Sequence, residues 1–170
     1  MRCRDKVPAM TVCSCILWSN KRLCNRALPV AAITDKVRRR WAYVIEMMLG
    51  VGLVAMQISM SMSLVRLIPA RRTAGWLGWL ILKFCTPRLE LCSHYDASAN
   101  LLEAWASIKR VLVLTVEFHD AKGHCEQRNR AGFWPTSAQH QIDHLVGQMY
   151  FDAVLNVECD TLLRGKRKRQ

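Results

Sequence analysis

The sequence predicts a mainly α chain. It would have one marginal transmembrane or core helix over about residues 42–65, a small helical C-terminal half with room for one short strand, and a disordered basic arm and tail. Three observations predict this. Residues 47–65 run 19 positions without a charge. Residues 137–160 carry an apolar stripe at i, i+3/i+4 spacing, the mark of an amphipathic helix. The cations gather at the two ends of the chain.

The charge map divides the chain into four parts. Net charge is +12 over 170 residues. Residues 1–41 sum to +8, 42–68 to zero, 69–96 to +2, 97–163 to −3 and 164–170 to +5. The reading is a basic arm over 1–41, an apolar and membrane-competent segment over 42–85, a small helical region over 97–163 and a basic tail over 164–170. A 51% apolar share excludes a fully disordered chain, and 5 Pro with 8 Gly exclude collagen-like and linker-like classes. Basic ends attract any polyanion, so anionic lipid and nucleic acid both qualify as partners. Arg outnumbers Lys 17 to 8 beside six Trp and eight Cys, a profile that also fits an orphan open-reading-frame product.

The arm contains Cys3, Cys13, Cys15 and Cys24 but no clean secretory signal, which suggests reduced thiols inside a cell. Its Arg content with few acids equally suits a mitochondrial presequence, though Asp5 and Asp35 weaken that.

The apolar centre is long enough to cross a bilayer as a helix, which needs about 20 residues. Its content is near break-even, because Gly50, Gly52, Gln57, Ser59, Ser61 and Ser63 oppose Leu49, Val51, Leu53, Val54, Ile58, Leu64 and Val65. Trp41 and Tyr43 sit at one edge, with Trp76 and Trp79 beyond the other. Cations are six before and four after, a slight bias to a cytoplasmic or matrix N-terminus. Two soluble readings compete. One is a buried core helix; the other is a half-buried strand, since residues 56–64 alternate apolar with polar. Within this segment Gly50-Val51-Gly52-Leu53-Val54-Ala55 fits G-x-G-x-x-A, so Gly50, Gly52 and Ala55 are cofactor-binding candidates for a dinucleotide turn. Arg71 and Arg72 stand about where a 2′-phosphate wants a cation, but no series of strand–helix units follows. No cofactor is expected.

In the C-terminal half, Asp96 or Ser98 can cap a helix from about Ala99, with Leu101, Leu102, Trp105, Ile108 and Leu112 on one face. Residues 111–118 are β-branched and read as a strand, 120–123 as a turn and 128–135 as a loop. A second helix should run over 137–160, with Thr136 and Gln139 as a capping box and Gly147 as its weak point. That helix would cover a core or a partner helix.

Four of five histidines fall at 119, 124, 140 and 144. His140 and His144 share a helix face at i, i+4 and can both reach one metal. With His119 and Cys125 they make a zinc candidate. The paired-cysteine knuckle is absent, and so is the Glu of H-E-x-x-H hydrolases. There is no G-x-S-x-G and no P-loop lysine pattern, so enzymatic activity is not expected. The tail residues Lys166, Arg167, Lys168 and Arg169 resemble a targeting signal, for nuclear import or endoplasmic-reticulum retrieval. The leading expectation is a small membrane-associated interaction protein. The alternatives are a soluble basic nuclear nucleic-acid-binding protein and an orphan product without evolved function.

Overall fold

The computed structural model describes residues 15–47, 52–67, 77–79, 82–84, 90–120, 122–154 and 161–163. Its elements are helix α1 (Asp35–Glu46), strands β1 (Gly52–Val54), β2 (Val65–Leu67), β3 (Leu77–Trp79), β4 (Leu82–Phe84), β5 (Leu91–Ser98), β6 (Leu101–Val111), β7 (Val113–His119) and β8 (Cys125–Ala131), helix α2 (Phe133–Leu145) and strand β9 (Thr161–Leu163). Short 3-10 turns cover Lys21–Cys24, Ala55–Ile58 and Tyr150–Ala153. The architecture is mixed α/β and rich in strands, which corrects the mainly α expectation.

Three antiparallel sheets of three strands run β1-β2-β3, β4-β7-β8 and β5-β6-β9. The helix expected from Ala99 is instead the β5–β6 hairpin, paired from Leu91↔Val111 to Ser98↔Leu101. Alternation wins over the helical stripe here: Ala104, Ala106, Ile108 and Arg110 are buried at every second position. β7 follows the predicted strand and buries Leu114, Val116 and Phe118 on one face. The 120–123 turn closes with Gly123 N–H donating to the Asp120 carbonyl. The expected loop over 128–135 is divided between β8 and the first turn of α2.

The apolar centre does not form one helix. α1 ends at Glu46, β1 covers three residues, Ala55–Ile58 is a 3-10 turn, and Ser59 takes φ 67. Its described apolar side chains pack into the protein's own core. Leu53, Ala55, Ile58 and Leu64 pack with Val37 and Val44 of α1, while Val54, Met56, Val65 and Leu67 pack with β7 and α2. Each fully buried aliphatic side chain of this kind contributes about 1.5–3 kcal/mol. Among the described residues no helix is long and apolar enough to cross a membrane, so the spanning segment over 42–65 is withdrawn.

α1 starts where Thr34 Oγ1 accepts the Val37 N–H at 3.4 Å. α2 starts earlier than expected, after Gly132 at φ 80, with Pro135 tolerated in its first turn, where the missing N–H costs nothing. Thr136 is therefore inside the helix, not its cap, and Gln139 instead holds the backbone N–H and carbonyl of Val111 at 3.1 Å each. The helix ends at Leu145 because Gly147 takes φ 79; a Cβ there would sit on the Cys24 carbonyl. The apolar face of α2 (Trp134, Ala138, Ile142, Leu145) is covered by this chain's own core. Gly50 and the tail residues Lys166, Arg167, Lys168 and Arg169 lie outside the described residues.

Candidate functional site

The second half of α2 turns its polar face inward. His140 and His144 are buried, as are Gln139 and Gln141, so this face must find partners inside the protein. The i, i+4 spacing brings the imidazoles together, with Nε2 to Nε2 at 3.1 Å. Two nitrogens on one tetrahedral ion at about 2.0–2.1 Å each stand roughly 3.3 Å apart, so this pair has the spacing of two ligands of a single metal.

A charged cluster fixes the pair from behind. Asp96, near the end of β5, places Oδ1 2.8 Å from His140 Nδ1. Arg110 of β6 donates to Asp96 Oδ2 at 3.0 Å and to Asp143 of α2. Because a carboxylate only accepts, Asp96 makes Nδ1 of His140 the donor and turns the other ring nitrogen toward His144. Burial works to raise the Asp96 carboxyl, but His140 and Arg110 override it and hold it below the usual range. Burial wins at Asp143 and pushes its carboxyl up, even against Arg110. Burial, reinforced by neighbouring His140, pushes His144 down to about 3, so its ring is neutral at pH 7.

The opposite wall is neutral. Gln57, in the 3-10 turn after β1, accepts the Val54 N–H on Oε1 at 2.9 Å, so its amide nitrogen faces the pocket. That nitrogen donates to Asn100 Oδ1 at 2.7 Å and lies 3.3 Å from His144 Nε2. Ser98, at the end of β5, donates its hydroxyl to Asn100 Oδ1 at 3.0 Å and stands 3.4 Å from His144 Nε2. Asn100 is itself oriented by donating to the Ile16 carbonyl at 2.6 Å. Gln141 completes the site on α2. Its Oε1 is buried with no hydrogen-bond partner, and its amide packs so closely on Gly52 that a Cβ there would come within 2.9 Å of Nε2.

The family model described as polypeptide deformylase matches residues 13–159. The chain belongs to that family. A peptide deformylase of Nitrobacter hamburgensis is 24% identical over 164 residues, covering 91% of this chain and 94% of the relative. Among solved structures, the peptide deformylase of Thermotoga maritima superimposes with a TM-score of 0.76 at 21% identity, over 84% of this chain and 97% of that one. The Synechococcus elongatus peptide deformylase, solved with actinonin, gives 0.80 at 21% identity, over 87% of this chain and 83% of that one. These likenesses establish the deformylase fold.

Membership of an enzyme family corrects three expectations together: the membrane-associated interaction protein, the nucleic-acid-binding and orphan alternatives, and the absence of enzymatic activity. The match runs through the supposed arm, apolar segment and C-terminal half alike.

The predicted site residues fare differently. His140 and His144 come together. His119 and Cys125 face each other across the β7–β8 ladder, so the four-residue zinc candidate is not one cluster. Among the described residues no group of three or more His, Cys, Asp and Glu side chains is arranged to hold a metal. Of the dinucleotide candidates, Gly52 and Ala55 belong to a strand followed by a four-residue 3-10 turn, with no α-helix N-terminus to receive a pyrophosphate. Gly52 instead allows the chain to approach Gln141. Sequence reasoning missed Gln57, Asp96, Ser98, Asn100 and Arg110. Gln57 carried a signal: it is a lone amide among apolar neighbours, which needs a buried partner once the membrane is removed.

A metal centre is the chemistry that a pair of helical histidines suggests, and the donor set here fits it only halfway. The two imidazoles and the carboxylate behind His140 suit zinc. A catalytic zinc site needs a third protein ligand, and H-E-x-x-H sites use their Glu as base. Here the opposite wall offers a hydroxyl and an amide N–H, and the position after the first His is Gln141. The residues present do not fit a catalytic zinc ion.

Proposed function

We propose that this pocket takes the formylated amino terminus of a polypeptide, the substrate class in the family's description, and hydrolyses the formyl amide slowly. The observation that carries this reading is the buried His140–His144 pair facing Gln57 and Ser98, in a chain matched to the deformylase family over 13–159. A formamide presents one carbonyl oxygen and one N–H. The amide nitrogen of Gln57 is a donor for the first, and the unpartnered Oε1 of Gln141 is an acceptor for the second. Donors aimed at a carbonyl oxygen also stabilise the charge that develops there when water attacks the formyl carbon.

Slowness follows from the base. Attack requires a proton to leave the water, and positioned general bases contribute about 10²–10⁴-fold. The Gln141 amide does not take a proton at neutral pH, and His144, lowered to about 3, is a weak base. The test is calorimetric titration of the full chain with a formyl-methionyl tripeptide, its acetylated counterpart and its free amine, with formate release followed separately. The expected result is tightest binding of the formyl form, by about tenfold or more, which corresponds to about 1.4 kcal/mol. Equal binding of all three peptides, or binding of none, would overturn the reading.

A further inference from the structure

We infer that the pocket keeps its shape without zinc, closed by hydrogen bonds among neutral side chains, and that Ser98 is the residue whose replacement would turn it into a metal site. This rests on reading the pocket as the family's site, but its test reads metal and not peptide.

Gln57 cannot turn its oxygen inward, because Oε1 is committed to the Val54 N–H. What it presents is an amide nitrogen carrying two hydrogens, a donor that repels a cation. Ser98 has given its hydroxyl hydrogen to Asn100 and keeps only a neutral oxygen toward His144. Asn100 Oδ1 accepts from both neighbours and is fully buried behind them. Gln57, Ser98 and Asn100 are therefore hydrogen-bonded to one another, and among the described residues no anionic group faces the imidazoles from this wall. The carboxylate that reaches His140, Asp96, is engaged by His140 Nδ1 and Arg110 on the far side of the ring from His144, and Asp143 is held by Arg110. Cys92, a thiol on the same strand as Ser98, is occupied elsewhere, 2.9 Å from His94 Nε2.

Zinc bound by two imidazoles alone lacks the third ligand that catalytic sites supply, and binding of N and not U is what makes a metal stabilise a fold. Ser98 is the one short side chain of the neutral wall that reaches toward the ring nitrogens from a strand end. A thiolate or carboxylate there would complete a three-ligand set without moving α2.

The full chain, purified from cells grown with added zinc, is measured by elemental analysis and by thermal unfolding with and without a chelator. The expected result is less than about a tenth of an equivalent of zinc and an unchanged Tm. Ser98→Cys is expected to retain roughly one equivalent, to lose Tm on chelation, and to show a thiolate charge-transfer band when loaded with cobalt. Ser98→Asp supplies a second anionic ligand should the cysteine variant not fold. Stoichiometric zinc with a chelator-sensitive Tm in the unsubstituted chain would overturn the inference. So would folded Ser98→Cys and Ser98→Asp chains that gain no metal. Failure of formyl-peptide binding would overturn the proposed function and leave this result intact.

Discussion

The two walls of the pocket differ in what holds them. The imidazole wall, His140 and His144 on α2, is positioned by charge: Asp96, Arg110 and Asp143 form a buried cluster behind it. The facing wall, Gln57, Ser98 and Asn100, is positioned by neutral hydrogen bonds tied back to the Val54 N–H and the Ile16 carbonyl. Positioning and reactivity are thus separable. The scaffold that aims two histidines at one point is intact, while the atoms they face can bind a polar group but not bind a cation or take a proton.

Substitutions on each wall should break this contrast in different ways. Arg110→Leu removes the cation between Asp96 and Asp143 and leaves Asp96 with His140 alone. Urea unfolding should show a loss of about 3–5 kcal/mol, with formyl-peptide binding lost as well. A loss under about 1 kcal/mol would mean that charge does not hold the imidazole wall. Asn100→Ala strips the acceptor shared by Gln57 and Ser98 and should cost about 1–3 kcal/mol, the penalty for buried unsatisfied donors. Unchanged stability there would show that the neutral wall is held by packing alone.

Gly52→Ala probes the contact between β1 and Gln141. Its Cβ would meet Leu67 Cδ2 at 2.7 Å and Gln141 Nε2 at 2.9 Å, and overpacking typically costs about 1–3 kcal/mol. Formyl-peptide affinity should fall more than stability, because the amide that moves is the one proposed to accept the substrate N–H. Equal affinity in the variant would remove Gln141 from recognition.

A further effect is with pH. His144 is lowered from 6.5 to about 3 in the folded chain, so the unfolded chain binds the extra proton between those values. Its contribution to stability is complete above about pH 6.5 and is lost as pH falls toward 3. Asp143, raised above 3.8 by burial, works the other way over the lower part of that window, because there the folded chain binds the proton. Asp96, held below 3.8, adds to the loss at the acid end, so the net is a decline in Tm below pH 6.5. His144→Asn should remove the decline between pH 6.5 and 5; an unaltered slope would place its origin elsewhere.

The amino-acid sequence made one wall visible and hid the other. His140 and His144 declare themselves because i, i+4 spacing is a local property of a helix. Ser98 and Asn100 belong to a hairpin that brings them to residue 57, 41 and 43 positions away, and no local period reports such a meeting. The helical reading of 99–112 failed because Leu101, Trp105, Ile108 and Leu112 satisfy a 3.6 period as well as hairpin pairing satisfies a period of two. The β7 strand was legible because its β-branched run admits only one reading. The apolar centre misled through length: 19 uncharged residues look like one element, but the described ones are divided among a strand, a 3-10 turn and an irregular return to β2, whose apolar side chains pack into the core while Ser61 is exposed.

This deformylase-family pocket holds two aimed imidazoles but presents neutral groups where a zinc hydrolase needs an anionic ligand and a base. The most direct measurement is formate release from a formyl-methionyl tripeptide by the unsubstituted chain and by the Ser98→Cys/Gln141→Glu double variant, each with added zinc. Slow release is expected from the first and at least about a 10²–10⁴-fold gain from the second, the range a positioned base contributes. Fast, zinc-dependent release by the unsubstituted chain would contradict it, as would a folded, zinc-loaded double variant with no gain.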